Sequence, residues 1–420
     1  MADEPGPVAG RRWAALAHRE YRLLWLGSAA SHTGDWMHQV ALGWLVLDLT
    51  GSAYYLGLAA FARAVPQLAL SLPAGVLADR ADRRRLLGAG QGAMAALTLL
   101  LALLVAAGDA RVGPILGLVF LVGCAGALTV AARQTLLPGT VPREALANAV
   151  GLHALVSTST RTLGPALAGA LLATVGVAAC FFAQAVSLAL ALATSLAMRP
   201  PPREAAPSGR PGPLADLAEA WRYVRRAPDV SGLLLAAAVP AGLGMPYLTL
   251  LPLFARDWGV GAAGLAVMVA AAGAGSTAGA LAFALAGDAR RQGYVLLLSG
   301  GLFGAALLAL AASDGLVLAL PGLLGAGFAS AVYQATNNTL LQLTAPDALR
   351  GRVMSAYALC WGMTPLGALL QGWLAERLPI TLVIGVAGAL CLAFSLAVAL
   401  WLPRVRDLRG PAPAAGAGGP

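Results

Sequence analysis

Three ionisable side chains lie deep inside long runs of apolar residues, where a charge is costly. Asp35 and Arg161 are each at the middle of such a run, and Arg63 is a little outside the middle of another. Burial favours the neutral acid and a nearby arginine favours the carboxylate, so Asp35 could take up and release a proton as its surroundings change. The alternative is a permanent ion pair that holds two helices together. The sequence leaves open whether its partner is Arg63 or Arg161.

Polar side chains accompany these charges at helical spacing. Residues three or four positions apart lie on one face of a helix, and four polar residues have this relation to Asp35: Ser31, His32, His38 and Gln39. Arg63 and Arg161 have polar residues within two turns, namely Gln67, Ser157, Thr158 and His153. The candidates for proton coupling and for lining a cavity are therefore Asp35, Arg63, Arg161, His32 and Gln39. Each histidine could instead be packed in a helix contact.

The charge balance of these residues predicts the kind of ligand. Two deep arginines against one deep aspartate leave the region formally positive, which favours an anionic or mixed-charge small molecule over a simple cation. Uncharged donors and acceptors could come from Gln184, Gln334, Asn337, Asn338 and Gln371, and apolar walls from Trp36, Trp44, Tyr333 and Trp361.

The elements that carry these residues must lie in lipid. The 420 residues are 59% hydrophobic and 11% charged, with a mean hydropathy of +0.75, which is too much apolar surface for one soluble core. A spanning helix needs about 20 apolar residues. The sequence predicts an all-α membrane protein with twelve transmembrane helices, at 22–47, 54–78, 86–107, 112–132, 147–174, 178–198, 230–255, 261–286, 293–313, 316–336, 352–376 and 380–402.

The basic residues predict the orientation. All 28 are arginine, and twenty-three of them fall on the side that holds both termini, against three on the other, Arg111, Arg256 and Arg377. Because arginine collects on the cytoplasmic side, we expect both termini to be cytoplasmic. The arginines are spread over short segments without interleaved aromatic residues, which argues against nucleic-acid binding.

An internal repeat divides the chain into two halves. Thr135-Leu136-Leu137 with Pro142 matches Thr339-Leu340-Leu341 with Pro346, and Gly164 and Gly169 match Gly367 and Gly372. Parallel repeats of six spans are typical of transporters that bind their ligand between the halves. We predict a cytoplasmic segment over 1–21, six-helix bundles over 22–198 and 230–402, a cytoplasmic linker with an amphipathic helix over 199–229, and a disordered tail over 403–420.

A charged loop between the second and third spans resembles the signature loop of the major facilitator superfamily. It reads Gly75-Val76-Leu77-Ala78-Asp79-Arg80-Ala81-Asp82-Arg83-Arg84-Arg85 and departs from the family pattern at Asp82, where a second glycine is usual. The resemblance implies a fold of two pseudo-symmetric six-helix bundles. It also implies a conformational latch at the start of the eleventh span, formed by Gly75, Asp79, Arg80, Arg83 and Arg84. The loop could also act only as an orientation signal.

Further segments narrow the resemblance. Gly164, Pro165 and Gly169 are similar to a motif of antiporters in this superfamily, although small residues recur in membrane helices for packing alone. Gly34-Asp35-Trp36 and Arg350-Gly351-Arg352 resemble the branch that includes enterobactin exporters and macrolide or multidrug efflux proteins. The arginine usually found inside the fourth helix of drug antiporters is missing from 113–132.

The hypothesis is a secondary transporter that exports a small amphipathic molecule, a drug or a siderophore-like anion, in exchange for protons. The alternatives are an importer or lipid flippase of the same fold, or a non-transporting membrane sensor or scaffold. No P-loop, His-Glu-x-x-His or serine nucleophile elbow is found in the sequence, so we expect no enzyme and no cofactor. Cys124, Cys180, Cys360 and Cys391 are not at metal-ligand spacing, so we expect no metal site.

Overall fold

The computed structural model describes residues 13–199, 222–286, 291–346, 349–401 and 403–408, with the side chains of Leu72, Val76, Asp79, Arg80 and Pro403 left out. Most of the predicted linker over 199–229 and of the predicted tail over 403–420 lies outside this part of the chain. All regular structure within it is helical, as predicted.

Two compact units divide the chain. The first unit comprises Met1–Thr50 and Ala62–Ser208, and the second comprises Gly51–Phe61 and Gly209–Pro420. The first turns of the second predicted span therefore pack within the second unit, and the rest of that span packs within the first.

The first unit contains seven α-helices, of which the second contributes only its part from Ala62 on. They are α1 (Arg19–Thr50), α2 (Ala53–Ala69), α3 (Ser71–Arg80), α4 (Arg83–Ala106), α5 (Val112–Leu136), α6 (Arg143–Thr174) and α7 (Val177–Ala197). α1 packs against α6 and α7, and α4 packs against α5 and α7. α2 and α3 together form the second predicted span, which is interrupted at Leu70.

The second unit contains α8 (Pro228–Val239), α9 (Tyr247–Asp257), α10 (Gly261–Leu285), α11 (Gln292–Ala311), α12 (Leu316–Thr344), α13 (Arg350–Trp361), α14 (Met363–Ala375), α15 (Ile380–Trp401) and α16 (Pro403–Arg406). A π-helical turn at Pro240–Gly244 joins α8 to α9. α11 packs against α12 and α15, and α10 packs against α12.

Glycines set the spacing of α10 and α12. A Cβ atom on Gly275 would overlap the carbonyl oxygen of Leu324, one on Gly279 would overlap that of Phe328, and one on Gly327 would overlap that of Ala272. Small residues allow this close backbone approach between membrane helices. The α10–α12 contact is therefore made by main chain against main chain.

Nine helical stretches among the described residues are long and apolar enough to cross a membrane. The other three predicted spans correspond to α1, to α2 with α3, and to α6, and their interiors carry Asp35, Arg63 and Arg161. The charges that make these helices functional candidates also lower their hydropathy. The number of twelve spans stays a prediction.

Candidate functional site

The interior of the first unit brings Asp35 and Arg63 together. The Arg63 Nη2 atom donates to the Asp35 Oδ1 atom at 3.0 Å, and the Gln184 Nε2 atom donates to the same oxygen at 3.0 Å. The three side chains come from α1, α2 and α7. The choice that the sequence left open is settled here, because Arg63 is the arginine that pairs with Asp35.

The Asp35–Arg63 pair lies inside the first unit, but both side chains are partly exposed. The exposed fraction of the Asp35 side chain is 33% and that of Arg63 is 27%, whereas Gln184 is fully buried. A carboxylate with this exposure can exchange a proton with water that reaches it, while its charge is still balanced by the guanidinium and the amide.

Close helix contacts fix the positions of these groups. A Cβ atom on Gly34 would lie 3.3 Å from the Gln184 Cα atom, and one on Gly123 of α5 would overlap the Arg63 carbonyl oxygen. α1 and α7, and α2 and α5, therefore approach each other closely where the ion-paired residues are attached. This packing limits the geometries open to the pair.

His32 contacts an arginine that the sequence analysis placed in a cytoplasmic loop. The Arg133 Nη1 atom is 3.0 Å from the His32 Nε2 atom, and the Arg133 Nη2 atom donates to the Ser31 hydroxyl at 3.3 Å. A guanidinium only donates, so His32 must accept through Nε2 and be neutral in this arrangement.

α5 continues through Leu136, a few residues beyond the predicted end of the fourth span at residue 132. Arg133 is therefore a residue of the last turn of the fourth helix, just after the stretch 113–132 that carries no ionisable residue. The sequence alone does not distinguish an arginine in the last turn of a helix from the first residue of a loop. The signal that could have found Arg133 is its spacing, since Thr135 and Leu136 still continue the helical pattern.

Two further histidines lie in the same interior. The His153 ring of α6 meets the His32 ring edge to face, with 6.0 Å between centroids, and its Nδ1 atom is buried without a hydrogen-bond partner among the described residues. The His38 ring packs against Phe181 at 5.2 Å and is fully buried. His38 is thus a packed histidine, the alternative that the sequence left open.

Arg161 lies over the Trp36 ring, with 5.6 Å between its Cζ atom and the ring centroid. An arginine above an indole face is stabilised by the negative charge of the ring face. Gln39, on the same helix as Trp36, is exposed. Arg161 is therefore near α1 but is not the described ion-pair partner of Asp35.

The antiporter-like motif lies where α6 meets α1. A Cβ atom on Gly164 would be 2.5 Å from the Trp36 Cβ atom and 2.9 Å from the Thr33 carbonyl oxygen. Pro165 is buried inside α6, and Gly169 is half-buried. Gly164 thus brings α6 against the residues that flank Asp35.

The charged loop anchors helix ends within the first unit. The Asp82 carboxylate caps α4 by accepting from the backbone N–H groups of Arg84 at 2.9 Å and Arg85 at 3.2 Å. Arg83 donates to the Thr135 carbonyl at 3.3 Å, and Arg84 donates to the Ser195 carbonyl at 3.2 Å. An N-cap role explains why an aspartate replaces the usual glycine.

The other residues of the predicted latch give no evidence for or against it. Gly75 lies in α3, and a Cβ atom there would meet open space. The side chains of Asp79 and Arg80 lie outside the described part of the chain. The latch stays a prediction.

In the second unit, buried amides serve the backbone. The Asn337 Nδ2 atom donates to the Leu233 carbonyl at 3.1 Å, and the Gln371 Nε2 atom donates to the Leu243 carbonyl at 2.6 Å. The Tyr333 hydroxyl donates to the Ala236 carbonyl. These side chains hold α8 and the π-helical turn in place, so their donor groups are engaged within the protein.

A carboxylate at the end of α14 caps α2. Glu376 accepts from the Ser52 hydroxyl at 2.6 Å and from the Tyr54 backbone N–H at 2.9 Å. These hydrogen bonds, together with nearby Arg256, hold the pKa of Glu376 below its usual value. The described His, Cys, Asp and Glu residues form no group of three that could hold a metal ion.

Comparison with known proteins gives a family model that covers nearly the whole chain. The MFS_3 model, described as "Transmembrane secretion effector", matches residues 10–410. The chain is 29% identical to the staphyloferrin A transporter of Staphylococcus aureus over 82% of this chain and 86% of that protein. It is 29% identical to the enterobactin exporter EntS of Citrobacter koseri, over 88% of this chain and 85% of that protein.

The multidrug efflux pump Tap of Mycolicibacterium fortuitum is 27% identical, over 92% of this chain and 96% of that protein. Among solved structures, a bacterial homologue of the human lysosomal transporter Spinster, in an inward-facing and occupied conformation, matches with a TM-score of 0.71 at 17% identity, over 94% of this chain and 99% of that one. The nucleoside transporter NupG matches with a TM-score of 0.69 at 14% identity, over 90% of this chain and 98% of that one. These structures show the fold.

Proposed function

The chain belongs to the major facilitator superfamily of multi-pass membrane transporters and is not an enzyme, and from this premise we propose that it exports a small amphipathic molecule in exchange for protons. It works by alternating access in a bacterial inner membrane, with both termini in the cytoplasm. The observation that carries the proposal is the partly exposed Asp35 carboxylate, held by Arg63 and Gln184 inside a helix bundle.

Competition for the Asp35 carboxylate supplies the coupling. The ionised carboxylate accepts hydrogen bonds, so a cargo hydroxyl or amide can take the place of Gln184 at its Oδ1 atom. A proton on Asp35 replaces this charged acceptor by a weaker neutral one and releases the cargo. Cargo and proton thus exclude each other at one group, which is what antiport requires.

Protonation of Asp35 also releases Arg63, which then has no anionic partner at this position. The guanidinium consequently has two arrangements, paired and unpaired, and the proton selects between them. His32 lies one turn before Asp35 on α1, and Arg161 of α6 lies over the ring of Trp36, the residue after Asp35. Gly164 and Pro165 lie where α6 packs against α1. We assign these residues to the cavity wall.

The cargo is anionic or of mixed charge. Besides Asp35, the interiors of the described helices of the first unit carry Arg63, Arg133 and Arg161, which leaves an excess of positive charge. The names of the relatives agree with this class, because two of them transport siderophores, staphyloferrin A and enterobactin. A hydrophobic drug is the second candidate, and the resemblance to Tap over nearly the full length of both chains favours it.

The test is proton movement in proteoliposomes that hold a pH gradient, on addition of catecholates, macrolides or cationic dyes. We expect proton flux that depends on one of these cargo classes in the wild type and is absent in Asp35→Asn. Asp48→Asn is the matched control, because Asp48 is an exposed carboxylate on the same helix. It should leave the flux unchanged.

Three results would overturn the proposal. Flux that survives in Asp35→Asn would make the carboxylate structural and place coupling elsewhere. Cargo that moves without protons through the wild type would favour an importer or a lipid flippase of the same fold. No movement of any cargo would favour a membrane sensor or scaffold.

A further inference from the structure

Arg133 is a cation whose described contacts are all neutral. Its two terminal nitrogens meet the His32 ring at 3.0 Å and the Ser31 hydroxyl at 3.3 Å. Its Nε atom is buried and has no hydrogen-bond partner among the described residues. No described carboxylate lies within ion-pair distance of its guanidinium, whereas Arg63 has Asp35.

A structural role at the end of α5 does not explain this side chain. Cations are stabilised at helix C-termini by the exposed carbonyl groups, but Arg83 already binds the Thr135 carbonyl there. The Arg133 side chain instead leaves its own helix and reaches the polar face of α1. The Asp35 carboxylate acts on Arg133 only from beyond ion-pair distance, and an enclosed charge whose hydrogen-bond partners are all neutral is costly to keep.

The groups around Arg133 offer unused donors. His32 accepts from Arg133, so its ring carries its proton on Nδ1. The His153 ring packs on His32, and its buried Nδ1 atom has no partner among the described residues. Arg133 Nε and His153 Nδ1 are thus two unsatisfied positions on side chains that both contact one ring.

We propose that Arg133, with His32 and His153, is the subsite that binds the anionic group of the cargo, a carboxylate or a catecholate. The guanidinium presents parallel N–H donors that match two anionic oxygens, and the bound anion takes the place of His32 at Arg133. The inference rests on the proposed function and deepens it, because it separates the anion subsite from the proton site at Asp35.

The test is binding to the detergent-purified full chain, measured by calorimetry without any gradient. The probes are 2,3-dihydroxybenzoate and its neutral amide, 2,3-dihydroxybenzamide, which share a ring and differ in the anionic group. We expect the wild type to prefer the anion by about tenfold or more, as charge-assisted hydrogen bonds do. Arg133→Gln should bring the ratio of the two affinities to about one. The exposed Arg377→Gln should keep the wild-type ratio.

The Arg133→Lys variant is the control for a folding defect in Arg133→Gln. It keeps the charge but loses the planar fork, so it should retain a preference for the anion that is smaller than that of the wild type. A wild type that binds both probes equally, or an Arg133→Gln variant that keeps the preference while eluting as a single species, overturns the inference.

Binding and transport fail separately. Preference for the anion without cargo-dependent proton flux would leave the anion subsite standing and remove the antiport proposal. Proton flux that depends on Asp35, with an unchanged preference in Arg133→Gln, would do the reverse.

Discussion

The two units handle buried polarity in opposite ways. The first unit places charges inside its helices, and one carboxylate and three guanidinium groups share that interior. In the second unit, the described charged residues lie at helix ends, and the buried Asn337 and Gln371 side chains donate to backbone carbonyls. The first unit thus pairs an interior charge with another side chain, whereas these amides of the second unit bind the backbone.

The internal repeat makes this difference sharper. Gly164 and Gly367 are equivalent in the sequence, and each lets its helix approach another backbone closely: α6 against α1 at Thr33, and α14 against the π-helical turn at Gly242. The close helix contacts of the two halves are thus equivalent, whereas the side chains next to them differ. Asp35 lies next to the Gly164 contact, and Gln371 binds the backbone near the Gly367 contact.

The largest effect should come from splitting the Asp35–Arg63 pair. Arg63→Gln leaves a carboxylate without its cation, which costs about 3–5 kcal/mol for a fully buried pair and less here because both side chains are partly exposed. Asp35→Asn with Arg63→Gln should recover part of that loss, with a coupling energy of about 0.5–3 kcal/mol. Thermal unfolding of the singles and the double in detergent measures it.

The counterpart in the second unit is Gln371→Leu. It removes the hydrogen bond to the Leu243 carbonyl and should cost about 1 kcal/mol while leaving cargo-dependent proton flux intact. Two results would contradict this distinction between the units: additive changes in the free energy of unfolding at Asp35 and Arg63, or loss of cargo-dependent proton flux in Gln371→Leu.

A smaller effect is expected from the packing that positions Arg63. Gly123→Ala forces a methyl group onto the Arg63 carbonyl and should destabilise the protein by about 1–3 kcal/mol. Gly126→Ala is the control on the same helix, because a Cβ atom there meets nothing within 4 Å. Equal unfolding temperatures for the two variants would show that α2 and α5 do not hold the pair.

The smallest and most local effect concerns Glu376. Its pKa is held below the usual value by hydrogen bonds from Ser52 and Tyr54, so the stabilisation is present above the unfolded-state pKa and is lost as the pH falls through the lowered value. The protection of the Tyr54 amide, which is the slowing of its exchange relative to that of an unstructured chain at the same pH, should therefore fall a few-fold on acidification in the wild type. In Glu376→Gln this protection should be low already at neutral pH.

Ser52→Ala removes one of the two hydrogen bonds to Glu376 and should give an intermediate exchange rate. If the protection of the Tyr54 amide in the wild type does not change on acidification, the Glu376 carboxylate does not cap α2.

Much of the fold could be predicted from the sequence. A helix that crosses lipid must be long and apolar, and arginine collects in the loops on the cytoplasmic side. The deep positions of Asp35, Arg63 and Arg161 were visible for the same reason. The partner of Asp35 was not, since it depends on the angle at which α1, α2 and α7 cross. Arg133 was missed because a charge near a helix end looks the same whether it turns to water or inward.

The second unit shows the other limit of sequence reasoning. Asn337 and Gln371 were considered as ligand contacts, yet their donors bind the carbonyls of Leu233 and Leu243. A polar residue in an apolar run shows that a partner exists without showing whether that partner is backbone or ligand. Here the backbone of α8 supplies the partner of Asn337, and the π-helical turn at Pro240–Gly244 supplies that of Gln371.

The close contact between α10 and α12 also bears on how the protein is made. Gly275 and Gly279 emerge from the ribosome before Leu324 and Phe328, with all of α11 between them. Until α12 enters the bilayer, the glycine face of α10 has a shallow groove that only a lipid chain or the insertion machinery can fill. Assembly of this unit therefore waits on its fourth span, and a substitution that widens α12 at Gly327 would be felt during biogenesis, before any cargo is bound.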